Sequence, residues 1–413
     1  MRLSGDLRLW VGFVPVRDGA IERHANGMGY NVKNLLLSLT AAILVAVPAA
    51  SSSQTQGGAP EVPPAPPRAR PHLSTFRIPK ELSFCDERVP LERDDVLERL
   101  EGEFYYLLDK QGLLVLYVKR LARASSIVDV ILELEKLPKD LRFVPLAESG
   151  LVPRAISSAR AVGYWQFVEP TAERYGLRVD AYVDERRDLT RSTMAAAAYL
   201  RDLHEMFGSW TAALAGYNWG EKNVEGAMEE QGTRSYYDLY LPEETERYVF
   251  RIMALKIIME DPETYWIDVP EAELYQLPKV VDVEITSKAP LTVAILADCA
   301  NVGARTIRVL NPWMRRNFLP PGEYVISVPT EASDGFRERV DRRLDSRKKI
   351  IHRVKRGENL KTIASRYDVT VEAIERWNGI SRRQPIHFGQ KLIIWGDKRG
   401  SRGGSGTLSE PSL

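Results

Sequence analysis

Apolar residues recur at helical spacing through the middle of the chain. Ala196, Leu200, Leu203 and Phe207 share one face, as do Trp210, Ala213, Leu214 and Tyr217, and again Tyr248, Ile252, Leu255 and Met259. Such spacing predicts amphipathic helices packed on a common core. Pro242 suits a helix start, and Thr190 and Ser192 are the expected N-caps of the helix that follows them. The region from about Val89 to Met259 therefore reads as all-α. Beyond Pro270 the pattern changes. Residues 280–285 and 324–328 alternate like strands around a helical middle. After them come a predicted strand at 351–354, short helices at 360–367 and 371–377, and a closing strand at 392–395. The fold class expected is mainly α, with a small α+β portion of βααβ order at the C-terminal end.

The ends of the chain have a different character. Lys33 precedes an apolar run from Leu35 to Val47, and Pro48, Ala49, Ala50 and Ser51 follow. A positive start, a short apolar centre and a small-residue exit describe a signal peptide over 1–50, with Met28 as an alternative start. Left uncleaved, the run would act as a membrane anchor. The expected division then runs as a Pro-rich linker at 51–80, a helical extension at 81–136 and a catalytic domain at 137–265. A module at 278–330, a charged linker at 331–349, a βααβ domain at 350–396 and a disordered tail at 397–413 complete it.

Composition narrows the chemistry. Of 413 residues, 57 are Lys or Arg and 56 are Asp or Glu, a net charge of +1. Nucleic-acid binders usually carry a clear basic excess, so the charge gives no argument for nucleic acid and is compatible with a neutral polymer. Cys85 and Cys299 either pair or remain as two buried thiols. The five histidines have no ligand spacing, and His204-Glu205 lacks the second His of a helical zinc site. No metal or cofactor is expected, and the chain is expected to be a monomer.

Glu148 is the candidate catalytic group. It closes the apolar stretch Val144-Pro145-Leu146-Ala147. Burial beside apolar groups raises a carboxyl pKa, and an acid protonated near neutrality can protonate a glycosidic oxygen. Taken alone, Glu148 could equally be a capping or salt-bridged glutamate. Glu169, Glu173, Asp180 and Asp184 read as solvated charges.

Further motifs follow Glu148 in a set order. They are Ser149 and Pro153, then Ser157, then Gly163-Tyr164-Trp165-Gln166-Phe167 with Pro170-Thr171-Ala172, then Ala215-Gly216-Tyr217-Asn218-Trp219-Gly220. Leu241-Pro242-Glu243-Glu244-Thr245-Glu246-Arg247-Tyr248-Val249 closes the series. This order resembles the lysozyme-like lytic transglycosylases of the membrane-bound murein transglycosylase D type, over about Leu137 to Pro262. The resemblance implies peptidoglycan cleavage, with Glu148 acting as general acid and then general base. It implies that Ser157 binds the substrate's N-acetyl group, that Gln166 orients sugar or acid, and that Tyr217 steadies the ring or the acid. Each of the three could instead brace a loop or pack a helix. Tyr164 and Trp165 are expected to stack on sugars or to fill core, Asn218 to touch substrate or to fix the turn before Gly220, and Tyr248 to line the cleft. Val152, Arg160 and Gly216 depart from the family's usual residues at supporting positions.

At the C-terminus, Val354 to Leu360, Ile363-Ala364, Trp377-Asn378-Gly379-Ile380 and Gly389-Gln390-Lys391-Leu392 resemble a LysM domain. The resemblance implies glycan contact around Gly357, Glu358, Asn359 and Ile380, mainly through backbone groups. Residues 278–330 read as either a degenerate copy or a spacer, with Asn311-Pro312 placed where the domain has its Trp-Asn element. Three functions are consistent with the sequence. They are an exported lytic transglycosylase of the periplasm or envelope, a hydrolytic muramidase on the same fold, and a silent wall-binding protein.

Overall fold

The computed structural model describes residues 71–397 apart from 346, 368 and 381–383. The expected signal peptide, the first part of the Pro-rich linker and the expected tail, but for residue 397, lie outside the described residues. No helix among the described residues is long and apolar enough to cross a membrane. Two compact units form, one from 71–179 with 184–277, the other from 180–183 with 278–397.

The first unit opens on a small hairpin, β1 (Ser83–Phe84) paired antiparallel with β2 (Glu87–Arg88). Part of the expected linker already belongs to the fold. Phe76 is buried, its ring lies 5.9 Å from that of Tyr265, and its carbonyl accepts from the Tyr105 hydroxyl. The extension consists of α1 (Asp94–Leu108) and α2 (Gln111–Leu134). Short helices α3 (Val144–Ser149) and α4 (Glu169–Arg174) bracket an irregular segment. Then come α5 (Leu189–Phe207), α6 (Trp210–Trp219), α7 (Glu221–Gln231) and α8 (Glu243–Glu260). Ala212, Ala213, Leu214 and Ala215 are fully buried, so α6 forms the axis of the bundle, and its small side chains admit α5 and α8 closely.

The N-cap of α5 is Asp188, whose carboxylate accepts from the Arg191 amide at 2.9 Å, and not Thr190 or Ser192. Ser192 is buried and its hydroxyl donates back to the Asp188 carbonyl. Any short oxygen-bearing side chain can cap, so the sequence leaves the choice of turn open.

In the second unit, β3 (Val280–Ser287) pairs antiparallel with β6 (Gly322–Pro329), from Val280↔Pro329 to Ser287↔Gly322. Between them lie β4 (Leu291–Thr292), α9 (Val293–Ala300), α10 (Ala304–Leu310) and β5 (Phe318–Leu319). The expected charged linker is in fact α11 (Phe336–Asp345), with Phe336, Val340 and Leu344 buried in the unit's core. Its many charges occupy the other face and mask a four-residue apolar spacing. The chain ends in β7 (Arg347–Arg353), α12 (Leu360–Arg366), α13 (Val371–Asn378) and β8 (Lys391–Asp397), with β7 and β8 paired antiparallel. Val354, Ile363, Ala364, Ile374, Leu392 and Ile394 form its small core.

The segments 280–329 and 347–397 share one internal device. Asn378 donates to the carbonyls of Ile374 and Ile393, both at 2.8 Å, and accepts from the Ile393 amide. Asn311 donates to the carbonyls of Ile307 and Ser327 and accepts from the Ser327 amide. In each case an asparagine at the C-terminal end of the second helix staples it to the closing strand. Cys85 and Cys299 are free, buried thiols, one in each unit.

Candidate active site

Glu148 sits in the last turn of α3. The helix is short because Gly150 and Leu151 both adopt left-handed conformations, at φ +57° and +58°. The Gly150 amide closes the turn on the Leu146 carbonyl, and Arg120 of α2 donates to the Gly150 carbonyl at 2.9 Å. A Cβ at Gly150 would lie 2.8 Å from the Tyr117 ring, so position 150 needs glycine for room as well as for conformation. Ser149 ties the turn down on its other side, donating to the Tyr164 carbonyl at 2.8 Å.

The Glu148 side chain is half-buried, and Tyr248 of α8 donates to its Oε1 at 2.5 Å. Burial pushes its carboxyl up from an ordinary 4.5 to about 7, against the opposing pull of the Tyr248 hydrogen bond and of the Arg251 charge. Glu244 adds a smaller upward push and is itself held by Arg251, at 2.9 Å. Burial keeps Tyr248 far above its usual range, with the Glu148 charge adding to this, so it stays a neutral donor.

The segment after α3 folds back on itself. The Ser157 amide donates to the Ala161 carbonyl at 3.0 Å, and the Ser157 hydroxyl accepts from the Ala161 amide at 3.1 Å. Gln166 donates its side-chain amide to the Gly163 carbonyl at 2.8 Å and to that of Ala155. Gly163, at φ +87°, lies against the Arg186 carbonyl, which a Cβ would approach to 1.8 Å. Arg186 in turn donates to the Phe167 carbonyl and forms a buried ion pair with Asp184 at 2.8 Å. Asp184 is thus not the solvated charge expected from sequence, being only 1% exposed.

The residues expected at the site divide into groups. Glu148 and Tyr248 are in direct contact. Tyr217 is close enough for the Glu148 charge to act on it, yet its hydroxyl donates to the Trp165 carbonyl at 2.7 Å. Its ring packs with those of Phe167 and Tyr199. Asn218 accepts from Thr245 at 2.9 Å, joining α6 to α8. Ser157 and Gln166 brace the folded-back segment, and Tyr164 is half-buried beside it. Of the two places expected for Trp165, the structure gives the core: it is 0% exposed and donates to Thr193 at 2.9 Å. Tyr248 is likewise buried, with its hydroxyl on Glu148.

In the C-terminal portion, the Glu358 carboxylate is occupied. It accepts from the Lys355 amide at 2.8 Å, contacts His352 Nε2 at 2.7 Å and pairs with Arg366. Led by the Lys355 amide, these contacts hold it down to about 2. Asn359 caps α12 in a reciprocal pair with Thr362. Gly357 is exposed at φ +83°, and Ile380 packs on the small core. The Glu358 and Asn359 side chains thus do structural work within this turn.

Sequence reasoning did not single out Arg251, Arg120 or Glu103. Glu103 carried a signal, since it interrupts the apolar stripe of Val96, Leu100 and Leu107.

Residues 133–240 match the family described as Transglycosylase SLT domain, and residues 352–395 match LysM domain. Over 279 residues the chain is 30% identical to Membrane-bound lytic murein transglycosylase D of Escherichia coli strain K12. The protein of that name from Escherichia coli O6:H1 gives the same identity over the same length. The match covers 62% of this chain and 60% of each relative, so the chain spans under two thirds of the proteins it resembles. The chain thus pairs a lysozyme-like SLT transglycosylase domain, which contains Glu148, with a C-terminal LysM domain, and it is similar to membrane-bound lytic murein transglycosylase D.

Proposed function

We propose that this protein is a lytic transglycosylase that cleaves the β-1,4 bond between N-acetylmuramic acid and N-acetylglucosamine in peptidoglycan. The observation that carries the reading is the Glu148 carboxyl, half-buried, pushed up to about 7 and held by Tyr248. Near neutrality a large fraction of it is protonated, as a general acid needs. It donates its proton to the bridging oxygen as the bond to the muramic C1 breaks through an oxocarbenium-like state. The carboxylate left behind takes the proton of the same sugar's C6 hydroxyl, whose oxygen attacks C1 and closes a 1,6-anhydro ring. The proton count on Glu148 is restored and no water is consumed. This scheme needs one carboxylate, unlike the paired acids of most glycosidases. The carboxylate that acts on Glu148, Glu244, is engaged by Arg251, which supports a single-acid reading.

The C-terminal domain holds the enzyme on glycan, through backbone groups around Gly357 and Ile380. The site of action is the cell envelope, reached through the segment before residue 51. Digestion of purified sacculi, followed by mass spectrometry of the released fragments, tests the reading. Anhydro-muramic ends made by the protein and absent with Glu148→Gln are expected. Reducing ends would make it a muramidase, and binding without any product would make it a wall-binding protein.

A further inference from the structure

Glu103 lies on the buried face of α1, in the extension that precedes the matched SLT residues, and is 2% exposed. Its neighbours along that face are Leu100, Phe104 and Leu107. A carboxylate in such a place is tolerated only when its oxygens are matched by charged donors. Both are. Arg247 donates through Nε to Oε1, and Arg251 donates through Nε to Oε2 at 3.1 Å. These two arginines lie one residue before and three residues after Tyr248 on α8, which also follows the matched residues. Arg251 is further bound by Glu244 of its own helix, at 2.9 and 3.4 Å. Tyr248 donates to Glu148 at 2.5 Å. A continuous set of polar contacts and one helix therefore connects the extension to the acid.

We propose that Glu103 is a positioning residue for the catalytic acid: by gripping Arg247 and Arg251 it sets the face of α8 that offers Tyr248 to Glu148, and it balances the Arg251 charge beside that carboxyl. The proposal rests on Glu148 being the acid. The groups facing Glu148 are Tyr248, Arg251 and Glu244 from α8 and Tyr217 from α6, with Tyr117 and Arg120 of α2 beside the adjoining Gly150. Arg251 favours the charged form of Glu148 and Glu244 disfavours it. Neutralising Glu103 leaves the Arg251 charge less balanced, so Glu148 should lose its proton at lower pH. Removing the Arg251 charge should act in the opposite direction.

The test is a carbon-13 NMR titration of the Glu148 side-chain carboxyl in the full chain, assigned by its loss in Glu148→Gln. Glu103→Gln should lower the midpoint by about half a pH unit or more, the scale of one unbalanced neighbouring charge, and Arg251→Gln should raise it. The alkaline limb of glycan turnover should move the same way in each variant, with KM unchanged. A purely structural Glu103 would lower turnover at every pH and leave both midpoints in place, and that result overturns the proposal. Should Glu103→Gln fail to fold, an unmoved midpoint in Arg251→Gln overturns it alone. The titration needs no turnover, so a wild-type protein that makes no anhydro ends would count against the functional reading and not against this one.

Discussion

The burial that lifts the Glu148 carboxyl to about 7 works against the fold whenever that group is charged. A carboxyl raised from 4.5 adds stability that is fully present below pH 4.5 and is lost as pH rises toward 7. At about 1.4 kcal/mol for each unit, the loss approaches about 3 kcal/mol above neutrality. Glu148→Gln should therefore melt higher than the wild type at pH 8 and nearly level with it at pH 4, as scanning calorimetry would read. Inactivation combined with stabilisation is the mark of a strained functional acid, and an ordinary ion-paired glutamate would do the reverse. Tyr248→Phe removes the hydrogen bond that favours the charged carboxylate. The alkaline limb of its pH–rate profile should move up, while kcat falls about 10- to 100-fold, the range for one hydrogen bond to a charged group.

At the scale of elements, the site depends on helices approaching more closely than ordinary side chains allow. Gly216 stands where the resemblance leads one to expect alanine, and the structure supplies a reason. A Cβ there would lie 2.6 Å from the Phe207 ring and 3.3 Å from Leu203, across the contact between α6 and α5. Gly216→Ala should destabilise by about 1–3 kcal/mol through overpacking, and Phe207→Leu in the same chain should return most of it. Urea unfolding of the two single variants and the double variant would check this, a double no better than Gly216→Ala refuting it. The same closeness carries Tyr248, since α8 is joined to α6 through Thr245 and Asn218. Helix existence was legible from the spacing of Leu200, Leu203 and Phe207. Which side chain capped α5 was not, because Asp188, Thr190 and Ser192 differ only in which turn they begin.

Across the whole molecule, two units carry separate cores, and within the second the strand–helix–helix–strand order occurs twice with the same asparagine staple at Asn311 and Asn378. The LysM core is small, so one buried charge should undo it. Ile374, fully buried, is the place to put one. Ile374→Asp should abolish cosedimentation with sacculi while turnover of short soluble glycans is kept. Equal loss of both would mean that the domain does more than hold the polymer.

The amino-acid order by itself determined the helical class and the LysM-like end, and it singled out Glu148 as the candidate acid, because these depend on local spacing and on short motifs contiguous in the chain. The close approach of Tyr117 to Gly150 and of the Arg186 carbonyl to Gly163 appears only in three dimensions. Tertiary structure alone decided which partner holds the acid, placing Tyr248 there, with Tyr217 turned to the Trp165 carbonyl. It sent Trp165 into the core, made a helix of the charged stretch at 336–345, and matched Glu103 with two arginines more than 140 residues away. Periodicity reports which face of an element is apolar. Desolvation, charge pairing and the accessible side of an aromatic ring depend on what packs against that face, and no single segment contains that information.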